Sequence, residues 1–394
     1  MNMKKLLALL LTMVLLLIGL LCGCADSQAD AEPEKEPAVD FIVDVESGRD
    51  PVILQFTDTQ IIDAAQMRTF DRLGNKAATY WATDKMEDRC FKYLRETVAA
   101  VKPDLILMTG DNVYGEFDDK GTSWQALIEV MESFGVPWAP VFGNHDPESK
   151  KGADWQCEQL EKAEHCLFKQ RKLTGNGNYT VGIRQNDKIT RVFFMIDTGS
   201  TSASAETLAN GHTLNASMVH QLQIDWFKET ATRIREEINP DVKISFAFHI
   251  PLDIFEMPLV DYGYYEAVEK EPFKTILIDK HPDKKEGDFG IVNTALNGID
   301  SSWELWDYLC EVGTDSIFVG HEHGINAGFT YKGVYIQFGQ KSSTYAAANY
   351  LTKWGGYVCS YDDQGMPQVG GTVFTLSEAD GTIQNPYNYL CKQE

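Results

Sequence analysis

Apolar and polar positions alternate along this chain in blocks that switch between strand-like and helix-like periods. Residues 40–45 and 52–56 are short apolar-rich runs on either side of Ser47, Gly48, Arg49, Asp50 and Pro51, and this turn-rich spacing predicts a hairpin. From 84 to 101 the period lengthens. Met86, Cys90, Leu94 and Val101 share one helical face, Asp84 is placed to cap it with Glu87 three residues on, and Pro103 ends it. The unbroken run 105–108 predicts a buried strand. The unit then repeats. Trp124, Leu127, Ile128, Met131 and Phe134 mark a helix stopped by Gly135, and strands are predicted at 138–142 and 192–196. A helix from 217 to about 238 precedes a strand at 243–248, and a helix at 302–312 precedes one at 317–319. Helices and strands alternating at these lengths imply sheets covered by helices, an α/β (α+β) class. The last third differs: 329–331, 334–338, 356–361 and 372–376 read as antiparallel strands.

The first residues read as an address. Lys4 and Lys5 precede an uncharged apolar run at 6–21, and Leu21-Cys22-Gly23-Cys24 resembles the lipobox of bacterial lipoproteins. That motif implies a signal peptide over 1–23, export, and a lipid on the Cys24 sulfur that holds the chain at the outer face of the membrane. A simple secretory signal or an uncleaved anchor are the alternatives, although a span usually needs about 20 apolar residues. Residues 24–39 are acidic, contain proline and lack large apolar side chains, so they read as a tether. Residues 40–394 show no repeat or second change of composition, which predicts one domain with insertions at about 61–83 and 255–293.

Charge narrows the partners. Loss of Lys4 and Lys5 with the signal would take the formal net charge from −23 to −25. Such a surface repels nucleic-acid backbones, favours a small substrate and attracts cations. Cys90, Cys157, Cys166, Cys310, Cys359 and Cys391 have no zinc-site spacing. Export permits disulfides, with Cys157 and Cys166 the closest pair, and buried free thiols are the equal alternative.

The chemistry collects at strand ends, where open α/β sheets place functional groups. Residues 52–56 run into Asp58-Thr59-Gln60, and 105–108 run into Gly110-Asp111-Asn112. The strand at 138–142 runs into Gly143-Asn144-His145-Asp146, the strand at 243–248 into His249, and the strand at 317–319 into Gly320-His321-Glu322-His323. Alone, each serves as well for a turn, a cap or a satisfied core histidine. Five together form a donor set of carboxylate, amide oxygen and imidazole without thiolate, which suits divalent Mn, Fe, Zn or Mg. Glycines before Asp111, Asn144 and His321 allow the sharp turns that convergence needs.

In this order the motifs resemble the five blocks of the calcineurin-like metallophosphoesterases, over roughly residues 50 to 345. Gly110-Asp111-Asn112-Val113-Tyr114, Phe248-His249-Ile250-Pro251-Leu252, Gly320-His321-Glu322-His323 and the helical Gln223-Ile224-Asp225-Trp226-Phe227 are most similar to the purple-acid-phosphatase-like branch. The resemblance implies a four-layer αββα double β-sandwich with two divalent metal ions. It implies Asp58, Gln60 and His323 at the first metal, Asp111 as bridge, and Asn144, His249 and His321 at the second. His145 would not be a ligand but would stand by the phosphate, stabilising its charge or protonating the leaving oxygen, and Asp146 would orient it by a hydrogen bond. The implied reaction is hydrolysis of a phosphate ester, monoester favoured over diester, by in-line attack of a hydroxide held between the metals.

Two positions depart from the family pattern. The first block ends in Gln60 where His is usual, which predicts a looser or harder first metal, and an emptied site would leave a non-catalytic lipoprotein that binds metal or a phosphorylated ligand. Tyr114 has the spacing of an iron ligand, or else a packing role. Tyr80, Trp81, Tyr262, Tyr264 and Tyr265, in the insertions, are candidates either to wall a small phosphorylated substrate or to pack the insertions themselves.

Overall fold

In chain order the strands are β1 (Phe41–Asp44), β2 (Val52–Phe56), β3 (Leu105–Thr109), β4 (Trp138–Val141), β5 (Tyr179–Gln185), β6 (Lys188–Met195), β7 (Glu206–Thr207) and β8 (Thr213–Leu214). They continue with β9 (Lys243–Ala247), β10 (Ile276–Leu277), β11 (Ile291–Val292), β12 (Thr314–Val319), β13 (Gly328–Tyr331), β14 (Val334–Phe338), β15 (Gly370–Leu376) and β16 (Ile383–Leu390). Helices are α1 (Met86–Val101), α2 (Thr122–Glu132), α3 (Ala153–Leu160), α4 (Gln221–Glu237), α5 (Glu256–Asp261) and α6 (Ser302–Glu311). The computed structural model describes residues 36–63, 66, 86–199, 206–207, 213–214, 219–265, 275–293, 296, 302–343 and 368–392. Ala38–Glu394 forms one compact unit.

Two large sheets organise these elements. One has seven strands in the order β1-β5-β6-β9-β12-β14-β13, the other five in the order β16-β15-β2-β3-β4. The central strands β6, β9, β12 and β14 run parallel, as do β2, β3 and β4. Antiparallel strands flank both parallel cores, β5 and β13 in one sheet and β15 in the other. Every residue of β3 is buried, as its unbroken apolar run requires of a strand covered on both faces.

The sheets face each other through one core. Phe318 of β12 stacks on Phe374 of β15 with centroids 4.7 Å apart, and Phe193 of β6 packs on Phe318 at 6.0 Å. A polar contact crosses the same layer, where the buried Gln55 Nε2 of β2 donates to Val319 O of β12 (3.0 Å) and to Thr109 Oγ1 (2.9 Å). The apolar faces of α1 and α2 close the outer side of the smaller sheet, with Leu94, Trp124, Leu127 and Met131 buried against it. Those of α4 and α6 close the larger one through Ile224, Phe227, Ile234, Trp306 and Leu309. The layer order is therefore αββα, the expected double sandwich.

The hairpin predicted between 40 and 56 does not form. Strand β1 lies parallel to β5 in the larger sheet, whereas β2 pairs with β3 and β15 in the smaller one. The turn between them is a crossing from sheet to sheet, anchored by Arg49, whose guanidinium donates to both Asp104 carboxylate oxygens (2.5 and 2.6 Å). Alternation marks a strand but does not name its partner. Sequence patterning also passed over β5 and β16, whose ladders with β6 and β15 are antiparallel. The strand read at 356–361 and the cap at Asp84 lie outside the described residues. Cys157 and Cys166 are separate buried thiols.

Phe374 is fully buried between the sheets. Phe374→Ala is expected to lower unfolding free energy by about 3–5 kcal/mol. Urea unfolding measures this, and a loss below about 1 kcal/mol would mean that the two sheets do not share this core.

Candidate metal centre

The parallel strands of both sheets end at one rim. Asp58 and Gln60 follow β2, Asp111 follows β3, Asn144 and His145 follow β4, His249 follows β9, and His321 and His323 follow β12. Backbone hydrogen bonds tie neighbouring exits together. Asp58 N donates to Gly110 O (3.0 Å), Gln60 N to Asp111 O (2.8 Å), and Gly320 N to His249 O (2.9 Å).

Convergence is bought with strained backbone. Asp58, Gln60, Asp111 and His321 all hold positive φ, at 51°, 42°, 50° and 69°. Side chains with a Cβ adopt this region uncommonly, and four such residues gather at this one rim. Two glycines make room for close approach. Gly110, at φ +89°, would place a Cβ 2.6 Å from His249 Nδ1, and a Cβ on Gly143 would overlap the Asp111 backbone nitrogen and Oδ1.

His249 is fully buried at the middle of the cluster. Its Nδ1 donates to Thr109 O (2.8 Å), which directs Nε2 toward the other donors. His249 Nε2 lies 3.2 Å from Asn144 Oδ1, 3.4 Å from Asp111 Oδ1 and 3.3 Å from His321 Nδ1. Ligands about 2.0–2.2 Å from a shared cation stand roughly 3–3.5 Å from one another. Asp111, Asn144, His249 and His321 therefore fit a single divalent ion. Asp58 joins the same group, since carboxylate oxygens of Asp58 and Asp111 and a nitrogen of His249 all lie within 4.8 Å of each other.

The Asp58 side is arranged differently. His323 Nε2 lies 3.1 Å from Asp58 Oδ1, while Asp58 Oδ2 accepts from Thr57 Oγ1 (2.7 Å) and His321 N (3.0 Å). Gln60, expected as a ligand here, is otherwise engaged. Its Oε1 accepts from the buried Lys341 Nζ (2.9 Å), so its amide nitrogen faces Asp111 Oδ2 (3.1 Å). An amide nitrogen has no lone pair to offer a metal. The first position thus fits a cation through Asp58, His323 and Asp111, without Gln60.

The partner that orients His145 also differs from expectation. Its amide donates to Asp111 Oδ1 (2.9 Å) and its ring Nε2 stands 3.9 Å from Asp111 Oδ2. The orienting carboxylate on Nδ1 is Glu148, at 2.9 Å, and not Asp146. Asp146 is fully buried and accepts from Gly143 N (2.7 Å), Val113 N (2.9 Å) and Asn112 Nδ2 (3.0 Å), which pins the β3 and β4 exits together. The chain turns back after His145, and that turn carries Asp146 under the loop while Glu148, three residues on, returns to the imidazole. Tyr114 stacks on the His145 ring with centroids 4.1 Å apart and planes inclined by 22°, which is a packing role.

Charge is distributed unevenly over these groups. Burial opposes ionisation of Asp58 and Asp111, but His323 beside the first and His249 beside the second hold both carboxyls below their usual range. Burial and the Asp111 charge push Asp146 up to about 7. Burial would lower His249, yet the Asp111 and Asp58 charges outweigh it and hold this imidazole at about 9. His321 falls to about 3 through burial and the neighbouring His249.

Lys341 and Glu148 went unnoticed in the sequence. A lone lysine carries no motif, and its one signal is its place just past another strand end, that of β14. Glu148 had the spacing i, i+3 from His145. In the insertions, Tyr264 is buried and its hydroxyl donates to Asp288 Oδ2 (2.8 Å), and the Tyr262 hydroxyl donates to Thr330 O (3.0 Å), so these two pack. Tyr265 is raised above its usual pKa by burial and by Glu256 and Glu322, the latter between His321 and His323. Tyr80 and Trp81 lie outside the described residues.

A model of calcineurin-like phosphoesterases matches residues 51–324. The chain is 24% identical over 267 residues to a protein named probable inactive purple acid phosphatase 29 of Arabidopsis thaliana, covering 63% of this chain and 61% of that one. It is 24% identical over 250 residues to phosphatase DCR2 of Saccharomyces cerevisiae, covering 61% of this chain and 39% of that one. It therefore spans about three fifths and two fifths of these relatives' lengths. A dimetal phosphatase from Danio rerio is similar in structure, with 12% identity, 83% of this chain and 93% of that chain covered, and a TM-score of 0.43.

Two outcomes follow from the geometry. Cation binding must displace the proton that His249 holds up to about pH 9. Affinity for Mn²⁺ is therefore expected to rise about tenfold per pH unit between about pH 6 and 8. Calorimetry in buffers of different ionisation enthalpy should register at least one proton released, and a pH-independent affinity would contradict the assignment. Gly143→Ala is expected to weaken Mn²⁺ binding at least about tenfold by displacing Asp111, a loss of about 1.4 kcal/mol.

Proposed function

This chain belongs to the calcineurin-like phosphoesterase family, and on that premise we propose that it is a metal-dependent hydrolase of small phosphate esters, phosphomonoesters before diesters. The observation that carries the reading is the convergence of Asp111, Asn144 and His321 on His249 Nε2, beside a histidine that is oriented but not part of that set.

Divalent cations, when bound, supply positive charge for phosphoryl oxygens and lower the pKa of water. The side chains divide the remaining work. Asp111, shared between the two positions, would serve both, Asn144, His249 and His321 would hold one cation, and Asp58 and His323 would face the other. Thr109 O fixes the His249 tautomer so that Nε2 is the ligating atom. Glu148 holds His145 Nδ1 and Tyr114 holds the ring from one face, which leaves Nε2 facing the centre to give a proton to the leaving oxygen. Asp146 keeps the two loops in register from beneath. The acidic surface, with a formal charge of −23 over the chain, suits cation uptake and disfavours polyanionic substrates such as nucleic acids.

A second reading is a non-catalytic protein that binds metal or a phosphorylated ligand, and the engagement of Gln60 by Lys341 favours it. Turnover separates the two. With Mn²⁺, the purified chain is expected to hydrolyse p-nitrophenyl phosphate faster than bis-p-nitrophenyl phosphate. Asp111→Ala and His249→Ala should abolish this activity, and full activity in either would sink the hydrolase assignment. His145→Ala should lower kcat by about 10²–10⁴-fold with little change in metal content. No turnover of either ester by metal-loaded protein would leave the binding reading standing.

We also propose that the chain is exported and lipid-anchored through Cys24. In a bacterial host, Cys24→Ser is expected to lose radiolabelled palmitate and leave the membrane fraction. Retention of label by that variant would refute the anchor.

A further inference from the structure

Lys341 is 1% exposed, and lysine is almost never so buried without a specific partner. It follows β14 at the same rim as the metal-type ligands and is held to β2 by a bridge between Thr57 and Lys341. Its Nζ donates to Asp58 O (2.8 Å) and to Gln60 Oε1 (2.9 Å). Ser343 Oγ donates to the same Asp58 carbonyl (3.2 Å), so a short segment of chain clamps the β2 exit from behind. The ammonium thereby fixes which end of the Gln60 amide faces the centre, and the end it selects is the nitrogen.

The two halves of the centre therefore differ in donors and in charge. One half offers Asp111, Asn144, His249 and His321 around a single point. The other offers Asp58 and His323 together with the shared Asp111, next to a resident positive charge that repels a cation. We propose that Lys341, bonded to Gln60, is a built-in cation that makes the metal centre unequal: one divalent ion is held tightly by the Asp111–Asn144–His249–His321 half, and a second is weak and exchangeable at Asp58 and His323. The inference rests on the reading of this rim as a metal centre and deepens it. It also gives the glutamine a purpose, because its amide accepts from Lys341 through Oε1 and donates to Asp111 through Nε2, a pair of contacts that links the lysine to the shared carboxylate.

The experiment is a stepwise titration of chelator-stripped full-length protein with Mn²⁺, followed by calorimetry, and elemental analysis after gel filtration. Wild type is expected to retain one Mn²⁺ per chain, with the second step at least about 100-fold weaker than the first. Lys341→Met should strengthen the second step about tenfold, and the double variant Gln60→His with Lys341→Met should retain two. Circular dichroism and thermal melting establish that the variants are folded, and the wild-type titration decides the matter by itself if they are not. Two Mn²⁺ ions of comparable affinity in wild type would overturn the inference while leaving the metal centre intact. So would an unchanged second step in a folded Lys341→Met variant. Absence of retained metal in every form would overturn the metal-centre reading, and this inference with it.

Discussion

A carboxylate with 1% exposure sits where the two sheets meet, and most of the rim is arranged around it. Burying a charge without partners is costly, and the partners of Asp111 come from three other strand exits. The β4 exit supplies the His145 amide, the β2 exit supplies the Gln60 side chain, and β9 in the opposite sheet supplies His249. The sandwich cannot close in another register without stranding this group. The left-handed backbone at Asp58, Gln60, Asp111 and His321 is the local consequence, since each loop must turn sharply to point inward. Hydrogen bonds between neighbouring exits hold those turns in place.

The sheets give the site its rigidity. Parallel strands put all their carboxyl ends on one side, so two parallel cores placed face to face deliver ligands from both layers to one line. Phe318 and Phe374 set the spacing between the layers, and Gln55 ties β2 to β12 a few residues below Asp58 and His321. Donor atoms around His249 Nε2 accordingly stand at separations that a bound cation requires. Little reorganisation is needed on binding, which is the condition under which metal ligands also serve chemistry.

Around this frame, polar side chains divide into those that face the centre and those that hold the loops. Asp146 belongs to the second kind, despite lying in the same Gly143-Asn144-His145-Asp146 block as two groups of the first kind. Glu148 and Tyr114 hold His145 from its edge and its face, and Lys341 with Ser343 holds the β2 exit. The net effect is a cluster whose two sides are unlike, with Asn144 and His321 gathered on His249 at one and a lysine–glutamine pair beside Asp58 and His323 at the other.

The sequence by itself determined the elements and the chemistry that they carry. Apolar period marked β3, β9 and the helices α1, α4 and α6. Asp58, Asp111, Asn144, His145, His249, His321 and His323 were legible because each follows an apolar run, and strand ends in such sheets gather on one side. What it left undecided was pairing. Residues 41–56 looked like a hairpin, since alternation records only that one face is buried and not which sheet buries it. Likewise, side-chain contacts across the rim depend on distances set by the sandwich. The commitment of Gln60 to Lys341 joins residues far apart in the chain, and the choice of Glu148 over Asp146 as the partner of His145 turns on the path of a tight bend. Only the tertiary structure decided these, because hydrogen bonds between strand exits form after the sheets have packed.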